Sequence, residues 1–373
     1  MGVLNLRAAP RSMGGTRRKP QRMKIYFVDM QPTEKQFFQD KFPGHEVLFA
    51  ASIDEAGADA DVVSTYIRER IDGAFLDAHP HLKLLATRSN GVDHIDLDEC
   101  RRRGVVVSTC HGAESNTVAE HTFALILALA RRLDEVRQAN KQPHFYFDRL
   151  RSFDLKDKTL GVVGAGRIGL RTIHIALAFG MKVVAYDPHH VSVMAETLGV
   201  RYMGFDELLR ESHVVTIHTP LTPETFHLLD AAAFAKCRRG ALVINTARGG
   251  VIDTKALIAA LDSGQVAGAG LDVLEEESVM QKEGTKIIAD QIIARLHAAS
   301  TPGEAASVPA RDPGRIEELQ SLTENARLIS RPNVVFTPHV AFNSVEATDR
   351  IQAMTVENIH AFLESKPLNS LTR

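Results

Sequence analysis

Between Thr159 and Asp187 the chain reads TLGVVGAGRIGLRTIHIALAFGMKVVAYD, and no other stretch constrains the fold as tightly. An apolar run leads into Gly164-x-Gly166-x-x-Gly169; a helix-compatible run follows, and then a second apolar run that ends in an acid. A lone GxGxxG is weak evidence, but strand, turn, helix and strand in this order are the context the turn requires. The three glycines differ in what they allow. Gly164 permits the tight turn, Gly166 lets a pyrophosphate approach the backbone, and Gly169 lets the helix pack on the strand. Arg167 and Ile168 lie inside the turn, where Arg167 either pairs with a phosphate or is simply solvated. The helix N-terminus offers unpaired N–H groups and the positive end of its dipole to an anion. Asp187 stands eighteen positions after Gly169, close to the roughly twenty expected of an acid that binds ribose hydroxyls. Such a carboxylate repels a 2′-phosphate, so the expected cofactor is NAD and not NADP.

Strand-like and helix-like runs alternate on both sides of this unit, the pattern of parallel sheets with covered faces. Upstream the strand-like runs are Lys24–Val28, Glu46–Ala50, Gly73–Leu76, Leu82–Ala86 and Val105–Ser108. A long apolar helix is expected over Ser115–Arg132, with Asn116 as its N-cap, and a polar loop over 138–158. The second series is Thr159–Val163, Val183–Tyr186, Val214–His218, Leu242–Asn245, Ala267–Asp272 and Val334–Thr337, before an amphipathic helix over about Val345–Ser365. Within 373 residues this gives two α/β units.

Composition excludes several function classes. Lys+Arg 44 against Asp+Glu 46 leaves a net charge of −2, with no electrostatic footprint for nucleic acid or an anionic membrane surface. No run of apolar residues is long enough to span a bilayer. Cys100, Cys110 and Cys237 lie far apart without metal-ligand spacing, which reads as reduced thiols in a cytoplasmic protein with no metal site. Residues 1–22 carry Arg7, Arg11, Arg17, Arg18, Lys19 and Arg22 and no acid. They lack the apolar core of a secretory signal and read as a disordered head.

Reduction of a small keto acid needs a cation for the carboxylate, an acid/base for the hydroxyl proton, and a group that tunes that acid/base. Three residues at the carboxyl ends of expected strands answer this need: Arg248 in NTARGG, Glu277 in LDVLEEE and His339 in TPHVAF. Strand ends on one edge of one sheet converge on one cleft. Spacing by itself does not single them out, and Glu275 and Glu276 rival Glu277.

These residues stand in a longer series. The segments TRSNGVDHIDLDECRRRGVVVS, NTVAEHTFALILALAR, GVVGAGRIG, HTPLTPET, NTARGGVID, GAGLDVLEEE and TPHVAFNSVEA follow one another from about Met23 to Leu363. In content and order the chain resembles the D-isomer-specific 2-hydroxyacid dehydrogenases, most of all the D-lactate dehydrogenase-like subgroup. The resemblance implies a substrate-binding Arg248, a catalytic acid Glu277 that favours a protonated imidazole, and His339 as the acid/base. It implies that Asn90 and Gly91 bind the substrate carboxylate through backbone amides. It implies that His218, Thr219, Pro220, Thr246 and Ala247 line the cofactor, that Asp272 lies near the nicotinamide amide, and that Val118 packs beside the nicotinamide.

The implied fold is two doubly wound parallel-sheet domains, a Rossmann NAD domain (118–340) inserted into a flavodoxin-like substrate domain (23–117 and 341–373). The implied partners are a small 2-keto or 2-hydroxy acid and a second copy of the chain in a homodimer. Two departures from the pattern stand out. Ala113 sits where an aromatic is usual, and Ser278 follows Glu277 in place of proline, opening a stretch to about 330 that reads as a flexible insertion. An NAD(H)-sensing protein resembling the corepressors of this fold, or a relative of phosphoglycerate, glyoxylate or phosphite dehydrogenases, is the alternative.

Overall fold

The computed structural model describes residues 22–30, 32–67, 70–139, 151–189, 197–275 and 313–372. Among the described residues, twelve strands form two all-parallel sheets. In the first, β1 (Lys24–Val28), β2 (Glu46–Ala50), β3 (Val62–Thr65), β4 (Leu84–Thr87) and β5 (Val106–Ser108) take the order β2-β1-β3-β4-β5. The second contains β6 (Thr159–Val163), β7 (Lys182–Tyr186), β8 (Arg201–Tyr202), β9 (Val214–Ile217), β10 (Ala241–Asn245), β11 (Val266–Leu271) and β12 (Val334–Phe336). Its order is β12-β11-β10-β9-β6-β7-β8. The first order is that of a flavodoxin-like sheet and the second that of a Rossmann sheet with one added strand, so both expected architectures are present. β3, β4, β9 and β10 are buried along their whole length, as befits parallel strands covered on both faces.

The 73–76 run is not a strand. Residues Gly73–Ala78 form a helix because the Asp72 carboxylate caps it, accepting from the Ala74 and Phe75 amides at 3.0 and 3.2 Å. The strand in that part of the sheet is β3 instead, paired with β1 on one side and β4 on the other. A short apolar run has no periodicity to separate the two states, and the cap decides.

The long helix spans Ser115–Ala130. Asn116 does not cap it; the N-cap is Glu114, and the Asn116 amide donates to Glu120 one turn on, at 2.5 Å. Its apolar face lies on the Rossmann sheet. A side-chain carbon at Gly270 would meet Leu125 at 3.0 Å, and one at Gly268 would meet Leu129 at 3.2 Å, so β11 is bare where the helix crosses it. Residues 313–329 also depart from expectation. They form the helix Pro313–Ile329, with Leu322 and Leu328 buried and Asn325 donating to the Glu275 carbonyl at 2.9 Å. Residues 276–312 lie outside the described residues, as does the head before Arg22.

The helix Val345–Leu363 returns to the first sheet, where Ile359 joins Ile25, Phe27, Phe38 and Leu84 in one core. The tail then crosses the β5 edge: Ser370 bridges Ser108 antiparallel, and Leu371 donates to the Val107 carbonyl at 2.9 Å. Among the described residues, no helix is long and apolar enough to cross a membrane.

Candidate active site

The glycine turn closes as the sequence predicts. Gly164 takes φ +91, which favours glycine, and a side-chain carbon there would stand 2.7 Å from the His218 carbonyl oxygen. Gly166 caps the helix Arg167–Ala178 and faces open space. At Gly169 the backbones nearly touch, since a side-chain carbon would lie 2.1 Å from the Gly164 carbonyl oxygen. Neither backbone can yield without opening the turn. In a thermal melt Gly169→Ala therefore loses about 1–3 kcal/mol, an apparent Tm lower by several degrees; an unchanged Tm contradicts this packing.

Asp187 ends β7 and accepts from the Ala165 amide and the His189 amide, both at 2.8 Å, so the carboxylate is fixed beside the turn. Arg167 reaches across to the loop after β5, where a side-chain carbon at Gly112 would lie 2.9 Å from its Nη1. Ile168 begins the helix and its carbonyl accepts from Thr172. At the end of β9 the His218 Nδ1 and the Thr219 Oγ1 are buried without partners. The other His218 ring nitrogen meets Thr216 Oγ1 at 3.0 Å, and burial pushes the imidazole down to about 3, so it stays neutral. Pro220 follows, exposed, its carbonyl accepting from Thr225. Buried polar atoms are normally paired. Open space at a helix N-terminus, a fixed ribose-side acid and two orphaned polar atoms across from the turn make a cradle that fits a dinucleotide. Thr246 Oγ1 pairs with Thr122 Oγ1 at 3.0 Å, one turn of helix beyond the buried Val118, tying β10 to the long helix.

The substrate side is built around Arg248, directly after β10. Asn245 shapes its turn from both ends of one side chain: Oδ1 accepts from the Ala247 amide at 3.0 Å and Nδ2 donates to the Arg248 carbonyl at 2.9 Å. The guanidinium donates through Nη1 to the Ala247 carbonyl at 2.7 Å and through Nε to Asp93. Its Nη2 lies against Gly91, where a side-chain carbon would fall 1.5 Å away. Gly91 and Arg248 thus meet, although they follow strands of different sheets. Asp93 and Asn245, which fix the arginine, carried no sequence signal that set them apart from other acids and amides.

His339 sits on the loop after β12 with φ +52. Left-handed backbone in a residue of this size costs about 1–3 kcal/mol and persists only where its surroundings impose it. Here Asp272 imposes it. The His339 amide donates to the Asp272 carbonyl at 2.7 Å, and the Asp272 carboxylate accepts from Thr337 Oγ1 (2.5 Å) and from the Val340 (3.0 Å) and Ala341 (2.9 Å) amides. Burial alone would raise this carboxyl. His121, Thr337 and those two amides outweigh it and hold the pKa below the ordinary aspartate value. His121, from the long helix, meets Thr337 Oγ1 at 2.9 Å and so links that helix to the His339 loop.

Glu277 lies outside the described residues. Of its rivals, Glu275 is committed elsewhere: it pairs with His227 at 2.5 Å and accepts from the Thr254 amide. The wall nearest His339 is aromatic. Phe342 stands edge-on to the imidazole with centroids 6.4 Å apart, Tyr66 lies 6.4 Å from Phe342, and the buried Arg88 stands 4.2 Å from the Tyr66 ring.

Known proteins are similar to this chain over most of its length. Residues 123–341 match the family model described as the NAD binding domain of D-isomer specific 2-hydroxyacid dehydrogenases. The chain is 33% identical over 308 residues to a glyoxylate reductase of Korarchaeum cryptofilum, covering 82% of this chain and 80% of that protein. It is 32% identical over 280 residues to a D-lactate dehydrogenase of Escherichia coli, covering 74% and 75%. Among solved structures, the D-lactate dehydrogenase of Aquifex aeolicus, complexed with NAD and lactic acid, superposes with a TM-score of 0.77 at 32% identity, over 92% of this chain and 96% of that one. The chain belongs to the D-isomer specific 2-hydroxyacid dehydrogenase family, NAD-dependent oxidoreductases acting on the CH–OH group.

Proposed function

We propose that this protein interconverts a small 2-oxo acid and its D-2-hydroxy acid, in the balance 2-oxo acid + NADH + H⁺ ⇌ 2-hydroxy acid + NAD⁺. The observation that carries this reading is the meeting of Arg248 with the Asn90–Gly91 loop, on the same sheet as the loop that holds His339 in its constrained backbone, with only β11 between their two strands. Arg248 and the amides of that loop hold the carboxylate and orient the carbonyl toward His339. His339 gives its proton to the carbonyl oxygen in reduction and takes it back in oxidation, with Glu277 as its carboxylate partner. Gly164, Gly166, Arg167, Ile168 and Gly169 would hold the pyrophosphate and Asp187 the ribose. His218, Thr219, Pro220, Thr246 and Ala247 would line the cofactor, with Asp272 and Val118 beside the nicotinamide. Bound there, the cofactor supplies the hydride.

Two domains, 23–117 with 341–373 and 118–340, close on one cleft in this reading and exclude water from the transfer. A homodimer also belongs to it. At the outer end of the long helix, away from the cleft, Leu129, Arg132, Phe153, Gly268, Pro332 and Val335 line a groove of about 280 Å³, and Leu133 beside it is 51% exposed. That surface suits a second copy of the chain. The three buried free thiols support a reducing compartment such as the cytoplasm.

The test is NADH oxidation against glyoxylate, pyruvate, hydroxypyruvate, 2-ketobutyrate and phenylpyruvate. Turnover of at least one is expected. Tight NADH binding with no turnover of any would replace the enzyme by an NAD(H)-sensing protein.

A further inference from the structure

The long helix touches the His339 loop at both of its ends. Thr117 and His121 stand one turn apart on the same face of that helix. Thr117 Oγ1 lies 3.3 Å from Ser344 Oγ, and His121 Nε2 lies 2.9 Å from Thr337 Oγ1. The segment between these two contacts carries His339.

The direction of the His121 bond follows from its neighbours. A carboxylate only accepts, so the Thr337 hydroxyl gives its one proton to Asp272 Oδ1, at 2.5 Å. Thr337 Oγ1 is then left to accept from the imidazole, and His121 carries its proton on Nε2. That nitrogen also lies 3.5 Å from Asp272 Oδ1. Thr337 holds His339 through its backbone as well: its carbonyl shares the His339 amide with that of Asp272, at 3.0 and 2.7 Å, and its own amide donates to the Leu271 carbonyl at 2.9 Å. One line of donors therefore starts on the long helix. His121 donates to Thr337, Thr337 donates to Asp272, and Asp272 receives the amides of Val340 and Ala341 that directly follow His339.

We propose that His121 is a positioning residue: by donating to Thr337 it fixes the Asp272 carboxylate, and through it the left-handed backbone that aims the His339 imidazole. This rests on the reading of His339 as the acid/base, and His121 itself exchanges no proton with the substrate. Without His121 the Thr337 hydroxyl can turn away from Asp272, and the φ of +52 at His339 has one constraint fewer. A small error in aim is felt in the chemical step and not in ground-state binding. A histidine that merely tied helix to loop would lower Tm when removed and leave kcat as it was.

In His121→Ala, kcat for a 2-oxo acid should fall roughly fivefold or more, while KM for that acid and the NADH dissociation constant stay within about threefold of wild type. His121→Gln, whose side-chain amide offers an N–H near the position of Nε2, should return kcat to within about threefold of wild type. Thr337→Val keeps the shape and removes the relay; it should also lower kcat roughly fivefold or more, and adding His121→Ala to it should cost less than about twofold further. A smaller fall in kcat, a loss that appears in KM instead, failure of Gln to rescue, or additive losses in the double variant overturns the assignment of His121. If His121→Ala does not fold, kcat in Thr337→Val and in His121→Gln decides by the same limits. Wild-type kcat in His339→Gln sinks the reading beneath; loss of turnover there with wild-type kcat in His121→Ala sinks this inference alone.

Discussion

In the His339→Gln variant, kcat for reduction of a 2-oxo acid falls by roughly two to four orders of magnitude, while NADH binds about as tightly as to wild type. The imidazole is assigned the proton transfer and nothing else. The nearest described groups that could replace it are already spoken for: the Asp272 carboxylate is wrapped by four donors, and His121 is engaged with Thr337 and Asp272. The cradle for the dinucleotide lies on the turn after β6 and the ends of β7 and β9, so its affinity should survive. His339→Asn is the stricter control, because asparagine enters left-handed backbone more readily than glutamine, and the site demands φ +52 there. Stopped-flow turnover and NADH fluorescence titration give the two numbers. Wild-type kcat in either variant removes His339 from proton transfer.

Arg248→Gln is expected to lower kcat/KM by about two to four orders of magnitude, the cost of removing the charge-assisted donor to the substrate carboxylate in a closed cleft. The loss has two sources. The substrate carboxylate loses its charge-assisted donor, and Asp93, which pairs with Arg248 across the cleft, is left as an uncompensated anion facing the same place. The two can be separated. In Arg248→Gln/Asp93→Asn part of the loss should return, because the repelling anion is gone, whereas Asp93→Asn alone should weaken substrate binding by loosening the arginine. A double-mutant cycle on kcat/KM measures this coupling. Strict additivity would mean that Asp93 does not act through Arg248. Arg248→Lys should recover little, since a point charge cannot reproduce a fork that touches Asp93, Ala247 and Gly91 at once.

The parts of this site that were legible in the sequence are those whose chemistry is written in consecutive residues. The glycine turn and Asp187 form one unit of local backbone, and local rules suffice to read it. β1 and β6 fall where alternation puts them, because buried parallel strands are runs of apolar residues, and the half-buried edge strand β2 falls where its apolar run puts it. The failures are tertiary. Gly73–Leu76 has the composition of a strand, but one aspartate before it captured two amides and made a helix. β3, at Val62–Thr65, is four residues long and gains its place from neighbours on both sides. The helix at Pro313–Ile329 has a weak apolar pattern behind a stretch rich in alanine and proline, and its burial depends on the sheet beside it. Asp93 was invisible for the same reason: it matters through Arg248, a residue far away in sequence and brought near only by the fold.

The tail along the β5 edge has a consequence for synthesis on the ribosome. Ile359 fills the core around Phe27, and Asn358 donates to the Thr109 carbonyl, so the sheet begun by the first strand is finished by nearly the last residues. The seven-stranded sheet needs only residues from the middle of the chain and can close while the C-terminal helix is still in the exit tunnel. The earliest strands must therefore wait, half covered, for the latest helix. Deleting Asn369–Thr372, whose bonds run along the β5 edge, should then cost yield and solubility before it costs turnover per folded molecule.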